Sequence, residues 1–220
     1  MHGQFASSKG LTEPKNVVSR HRRKKPLAVN SEYEVLTWSQ IYDMLLCQAQ
    51  KIQNQNFKPD VVVGISRGGA VPARILTDLL ETPELGFVQI NFYTDINQTS
   101  HHPTLKQSLT IQITGKKVLL VDDIADTGET LKLAKTHLQT LGALEVKIAT
   151  LFHKPQSTIT PDFYEKQTSR WVVFPWDTKE TLRKIIQRQK GKRSLNQEVA
   201  KLVKAGLPNH LAEKLLKEMQ

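Results

Sequence analysis

Cysteine is almost absent from this chain: Cys47 is the only one in 220 residues. That excludes an internal disulfide framework and suits a reducing compartment. No apolar run approaches the ~18 residues a membrane-spanning helix needs. The first thirty residues lack the apolar core of a secretion signal. A soluble, cytoplasmic protein with no membrane partner is therefore expected. With 39% hydrophobic residues, the chain can still bury a full core, most simply as one domain with extensions.

Acidic residues are scarce at the two ends and not in the middle. The net charge of +10 divides into +6 over residues 1–30, +7 over 178–220 and −3 over 31–177. The run "RHRRKK" at Arg20–Lys25 could touch phosphates, although a solvated charged arm is the plainer reading of such a run. A nucleic-acid partner is thus conceivable at the ends without being the expectation.

Residues 1–30 show little apolar periodicity and read as a mobile basic arm. Thr37 is placed to cap a helix, with Gln40 three residues on, the spacing of a capping box. Ile41, Met44, Leu45, Ala49 and Ile52 then share one helical face. "VVVGI" (61–65) reads as a buried strand, "SRGG" as its loop, and 70–82 as a helix that tolerates Pro72 because it falls in the first turn. Further strands are expected at 85–92, 116–123, 145–152 and 170–174, with a helix over 129–141 that closes at Gly142. The polar stretch 93–109, which includes Tyr93, is long enough to suggest a lid or binding loop. From Thr178 onward helical patterns dominate, with two short amphipathic helices broken at Gly206-Leu207-Pro208. Alternating strands and helices predict an α/β fold, a parallel sheet with helices on both faces. Ligands in such sheets bind beyond the carboxyl ends of the strands, where "ISRGG", "DDIADTGET" and "FHKP" all fall.

"DDIADTGET" carries the most chemistry. Thr127, Gly128, Glu129 and Thr130 join a strand end to a helix start, a geometry suited to a monophosphate at a helix N-terminus. Alone, this turn is equally an acidic loop with an ordinary cap. Asp122 and Asp123 alter the reading. Adjacent carboxylates would repel an anion unless they hold ribose hydroxyls and a hard cation such as Mg²⁺. The pattern therefore suggests a sugar phosphate with a metal, leaving Asp126 free for proton transfer. In "GISRGG" (64–69), Gly68 and Gly69 let backbone N–H groups approach an anion and Arg67 adds a cation. A pyrophosphate loop and a simple tight turn both fit that pattern.

"VLLVDDIADTGET" resembles the phosphoribosyl-pyrophosphate binding motif of type I phosphoribosyltransferases. "LFHKP" and "RWVVFPWD" are similar to the base-binding hood of the 6-oxopurine branch, which includes xanthine–guanine and hypoxanthine enzymes. The likeness spans roughly 37–180. It implies that Asp122 and Asp123 bind the ribose hydroxyls, directly or through Mg²⁺, and that residues 126–130 wrap the 5′-phosphate. It further implies that Asp126 acts as general acid or base near a purine nitrogen. In that family the peptide after the position of Arg67 can be non-proline cis. Lys154 would donate to the purine O6, Trp171 would stack on the ring, the Val172 backbone would meet the C2 edge, and Asp177 would lie near metal and pyrophosphate. An ammonium suits a carbonyl acceptor and cannot accept from adenine's amine.

The expected organisation is a basic arm (1–30), a phosphoribosyltransferase domain (31–180, with its hood at 152–178) and a basic helical extension (181–220), working as a homo-oligomer. The expected activity is Mg²⁺-dependent transfer of 5-phosphoribosyl from phosphoribosyl pyrophosphate to a 6-oxopurine. The alternative is a sensor of the same fold that binds nucleic acid through its basic ends. His101 and His102 have no carboxylate or cysteine at ligand spacing in their loop and read as lid residues.

Overall fold

A computed structural model describes residues 31–93, 102–188 and 192–219 of the chain. The basic arm and the segment 94–101, with His101, lie outside the described residues. Residues Ser31–Gln220 make one compact unit.

The centre is a six-stranded sheet in the order β4-β3-β2-β5-β6-β7. Its strands are β2 (Val61–Ser66), β3 (Glu84–Tyr93), β4 (His102–Gln107), β5 (Lys117–Ala125), β6 (Glu145–His153) and β7 (Phe163–Gln167). All neighbours are parallel except β3 and β4. The polar stretch after residue 93 was expected to be irregular, and it instead contains β4, the second arm of an antiparallel hairpin. On β4 the burial alternates, with Pro103 and Leu105 half-buried between exposed neighbours. Leu105 packs on one of the two main cores, so a period-2 pattern lay within a sequence whose polarity reads as loop.

Near-continuous apolar runs form β2 and β5 because both strands are covered on both faces. On one face lie α1 (Trp38–Asn54) and α2 (Ala70–Leu79), whose Ile41, Leu45, Ile52, Ala73 and Leu76 pack on Val62, Leu119, Val121 and Leu151. On the other lies α3 (Glu129–Thr140), whose Leu131, Ala134 and Leu138 pack on Val63, Val118, Leu120 and Ile148. The capping box forms as the spacing required. The Gln40 N–H donates to Thr37 Oγ1 at 3.2 Å and the Thr37 N–H to Gln40 Oε1 at 2.8 Å.

Strand order fixes where a ligand can enter. From β2 the chain crosses through α2 to β3 on one side, and from β5 it crosses through α3 to β6 on the other. The carboxyl ends of β2 and β5 therefore diverge, which opens a crevice at the switch point.

A second, two-stranded sheet pairs β1 (Tyr33–Val35) in parallel with β8 (Trp171–Val173). Neither β1 nor β7 stands out in the sequence, since both are short and hold charged residues among their apolar ones. Against this sheet pack α4 (Thr178–Arg188), α5 (Lys192–Lys204) and α6 (Asn209–Lys217), through Val173, Leu182, Ile185, Leu202, Leu207 and Ala212. The extension is thus part of the hood's own core. Leu202 is fully buried there, so Leu202→Ala should cost about 2–5 kcal/mol and lower the melting temperature in a thermal unfolding scan. An unchanged melt would contradict the place of Leu202 in that core.

Candidate active site

The crevice at the switch point has a volume of about 780 Å³, within the range of small-molecule sites. The β2 end supplies Ser66, Arg67 and Gly68, the β5 end supplies Asp122, Asp123 and Ile124, and the start of α3 supplies Thr130. Gln89 and Asn91 of β3, then Trp176, Asp177, Glu180 and Lys184 from the hood and α4, close the remaining sides. A smaller chamber of about 190 Å³ adjoins it, lined by Asp122, Ile124, Asp126, Thr127, Gly128 and Thr130. Asp122, Ile124 and Thr130 belong to both spaces.

The β2 loop sits against β5 more tightly than any side chain permits. A Cβ at Gly68 would lie 2.5 Å from Asp123 Oδ2, and one at Gly69 would strike the Val121 carbonyl oxygen. The non-proline cis peptide is Ser66–Arg67, one bond earlier than the family resemblance led us to expect.

The smaller chamber is shaped by Gly128, which takes a left-handed conformation (φ 86°) as the residue before α3. A Cβ there would also come within 2.8 Å of Ile159 Cγ2 and Ser157 Oγ. The loop after β6 clamps this turn: the Thr158 N–H and hydroxyl both donate to the Thr127 carbonyl, at 2.8 and 2.9 Å. Gln156 Nε2 donates to Asp126 Oδ1 at 2.9 Å. Asp126 is exposed and faces the chamber mouth with one oxygen so occupied. The first-turn N–H groups of α3 have no partners within the helix and point, with the positive end of its dipole, toward this space.

Carboxylates crowd the crevice floor. Burial pushes Asp122 well above the usual carboxylate range, and the charge of Asp123 beside it pushes the same way. Asp123 is raised by burial, partly offset by the Trp176 indole N–H; that N–H approaches it without completing a hydrogen bond of good geometry. Asp177 is pushed up to about 7, first by burial and next by the Asp123 charge. Its Oδ1 accepts the Phe174 N–H at 2.9 Å. Among the described residues no three side chains could hold a metal by themselves. One or two carboxylates completed by ligand oxygens is, however, the way Mg²⁺ is commonly bound, and Asp122, Asp123 and Asp177 fit that donor set.

The predicted site residues do not all meet. Arg67, Gly68, Asp122, Asp123, Thr130 and Asp177 line the crevice, and Asp126, Thr127 and Gly128 line the chamber beside it. Gly69 and Glu129 stand at the starts of α2 and α3. Lys154 is half-buried at the end of β6, its N–H donating to the Ala125 carbonyl at 2.9 Å. Val172 is buried, 5% exposed. Trp171 lies elsewhere, in a separate recess with Glu32, Tyr33, Ile185, Arg188 and Glu198. Its ring is 6.0 Å from that of Tyr33 and 4.8 Å from the Arg188 guanidinium. The strand pleat explains this: Trp171 and Val173 share a face of β8, and that face carries the core built with the C-terminal helices. Glu180, Lys184, Gln156 and Thr158 escaped sequence reasoning. Gln89 and Asn91, polar residues at a strand's carboxyl end, were the only ones with a readable signal.

A mostly parallel sheet whose switch-point crevice joins a carboxylate pair to a glycine-bearing helix start is the architecture of a ligand-binding α/β protein. Comparison with known sequences fixes the family. Residues 34–181 match the "Phosphoribosyl transferase domain", and the chain belongs to that family. It is 31% identical over 146 residues to a xanthine-guanine phosphoribosyltransferase of Nitratidesulfovibrio vulgaris, covering 65% of this chain and 83% of that one. Its fold is similar to that of a purine phosphoribosyltransferase from Pyrococcus horikoshii, with a TM-score of 0.60, 36% identity and coverage of 66% of this chain and 93% of that one. A xanthine-guanine-hypoxanthine phosphoribosyltransferase of Helicobacter pylori shares the fold at 19% identity, with a TM-score of 0.59 and coverage of 69% and 98%.

The raised carboxyls carry a pH signature. Asp177 releases its proton near pH 7 in the folded protein, against an ordinary value of 3.8. Between those values the folded state holds a proton that the unfolded chain has lost. Metal-free protein should therefore lose stability as pH rises from about 4 to about 7. Melting temperatures measured from pH 5 to 8 should fall, and Asp177→Asn should flatten the fall; a flat wild-type profile would contradict this assignment.

Proposed function

We propose that the protein transfers the 5-phosphoribosyl group of phosphoribosyl pyrophosphate to a 6-oxopurine, guanine, hypoxanthine or xanthine. The products are the nucleoside 5′-monophosphate and pyrophosphate, a purine-salvage reaction suited to the cytoplasm. The observation that carries this reading is the convergence of two glycine-bearing loops, Ser66–Gly68 and Asp126–Gly128, on the paired carboxylates Asp122 and Asp123. The names of the similar proteins support the choice of a purine.

In this reading the 5′-phosphate occupies the chamber at the start of α3. The ribose hydroxyls lie on Asp122 and Asp123, and the pyrophosphate meets the backbone of Gly68 and Gly69 with Arg67 beside it. Mg²⁺ held through Asp123 and Asp177 would neutralise the leaving pyrophosphate. The base enters past Ile124, the apolar side chain shared by both spaces, with Lys154 donating to O6 and the Val172 backbone at the C2 edge. Trp171, engaged with Tyr33 and Arg188, is not counted among the groups that meet the base. The purine nitrogen forms its bond to C1′ as the C1′–O bond breaks, and pyrophosphate leaves with that electron pair. The proton of the purine passes to Asp126, whose second oxygen is already held by Gln156. Positioning and charge stabilisation dominate such a reaction.

The direct test offers guanine, hypoxanthine, xanthine and adenine separately with phosphoribosyl pyrophosphate and Mg²⁺. Nucleotide should form from the oxopurines and not from adenine. Absence of turnover with every base, despite binding of phosphoribosyl pyrophosphate, would refute the transferase reading. Asp126→Asn should lower kcat by roughly 10²-fold or more, the usual scale for loss of a proton-transfer group; near-normal turnover would remove Asp126 from the chemistry.

A further inference from the structure

Among the described residues, two side chains lining the crevice carry positive charge, Arg67 and Lys184. Neither points freely into it. Both are bound by one carboxylate, that of Glu180 on α4. Arg67 Nη2 lies 2.6 Å from Glu180 Oε2, and Lys184 Nζ lies 2.9 Å from Glu180 Oε1. One oxygen serves each cation, so the carboxylate bridges a residue of the β2 loop to a residue one turn further along α4. Two terminal oxygens of a phosphate could bridge the same pair. Glu180 is also the fourth acid in a space already holding Asp122, Asp123 and Asp177, and its charge adds to the burden on Asp123 and Asp177.

We propose that Glu180 is an internal anion that occupies the pyrophosphate end of the crevice, holding Arg67 and Lys184 until a pyrophosphoryl group displaces it, and that Lys184 then joins Arg67 in binding that group. This rests on the phosphoribosyltransferase reading and adds to it a helix, α4, that begins where the hood ends. Three observations support the exchange. The Arg67 side chain is 81% exposed and that of Glu180 is 32% exposed, so the ion pair is of the weak, solvent-screened kind. Its release costs little. The incoming group carries more charge than one carboxylate and can engage both cations at once, which favours displacement by a pyrophosphoryl group over a small monoanion. Finally, swinging Glu180 away relieves its repulsion with Asp123 and Asp177, so departure of the latch and ligation of the carboxylates assist each other.

The latch also explains why α4 carries an acid in a crevice meant for anions. Unlatched, Arg67 and Lys184 would be open to any small monoanion. Latched, they are pre-positioned about one carboxylate apart and exchange it most readily for a ligand that replaces both contacts.

Binding of inorganic pyrophosphate, with Mg²⁺ and without purine, measured by calorimetry on the full chain, tests the exchange. Glu180→Gln should tighten pyrophosphate binding by about two- to five-fold, the range corresponding to an exposed ion pair. Lys184→Met should weaken it by at least that factor and raise the KM for phosphoribosyl pyrophosphate, with the KM for the purine unchanged. Glu218→Gln, which removes an equal charge from a surface pair with Lys179, should leave pyrophosphate binding as it is. Glu180→Gln with unchanged or weaker binding, in a variant whose thermal melt matches wild type, would overturn the latch. So would tightening of the same size in Glu218→Gln, since net charge would then account for it. Wild-type turnover of oxopurines alongside either result would confine the failure to the latch; wild-type protein that binds no pyrophosphate would overturn the latch and the transferase reading together.

Discussion

Everything in the crevice depends on how closely the β2 loop approaches the end of β5. A methyl group at Gly68 would fall on the Asp123 carboxylate, and one at Gly69 on the Val121 carbonyl. That contact places a loop whose backbone favours anions directly against a pair of carboxylates that repel them. Neither element makes sense alone. Together they fit the proposed substrate, which is anionic at its ends, hydroxylated in its middle and accompanied by a cation. The sheet's switch point supplies the gap in which such a ligand fits, because β2 and β5 send their connections in opposite directions.

Much of this was readable in the sequence, for a local reason. Gly128 must be glycine because the backbone turns left-handed there, and Gly68 and Gly69 because nothing larger fits. Paired aspartates ending an apolar strand are similarly self-announcing. Such residues carry their geometry with them. The hood was less legible because its geometry is set by distant segments. The family resemblance implied that Trp171 stacks on the base, yet its direction is decided by β1, which lies far away in the chain and pairs with it. Glu180 and Lys184 have the spacing of an ordinary i, i+4 pair on a basic helix, and nothing local marks them. Only the path of α4 past the crevice makes them part of the site. β4 was hidden for a different reason: its outward face is polar, so the inward Leu105 gave a single apolar signal in a polar run.

The acids on the crevice floor are a cost to the empty protein. Burial and mutual repulsion hold Asp122, Asp123 and Asp177 toward their neutral forms, although their proposed work requires charge. Residues arranged against stability in this way are a frequent mark of functional sites. The two large cores on either face of the sheet offset that cost, and the Trp176 ring, stacked 4.8 Å from Phe174, joins the hood side of the floor to one of them.

The hood is assembled from both ends of the described chain. β1 enters at Tyr33, β8 follows at Trp171, and the Tyr33 hydroxyl donates to Glu198 on α5 at 2.6 Å. The central sheet is complete once β7 has been made, whereas the hood's core must wait for Leu202, Leu207 and Ala212. During synthesis these residues follow the whole central sheet out of the ribosome. The sheet can therefore form before the hood's core does. A chain halted between β8 and α5 would hold a complete central sheet with its hood still open.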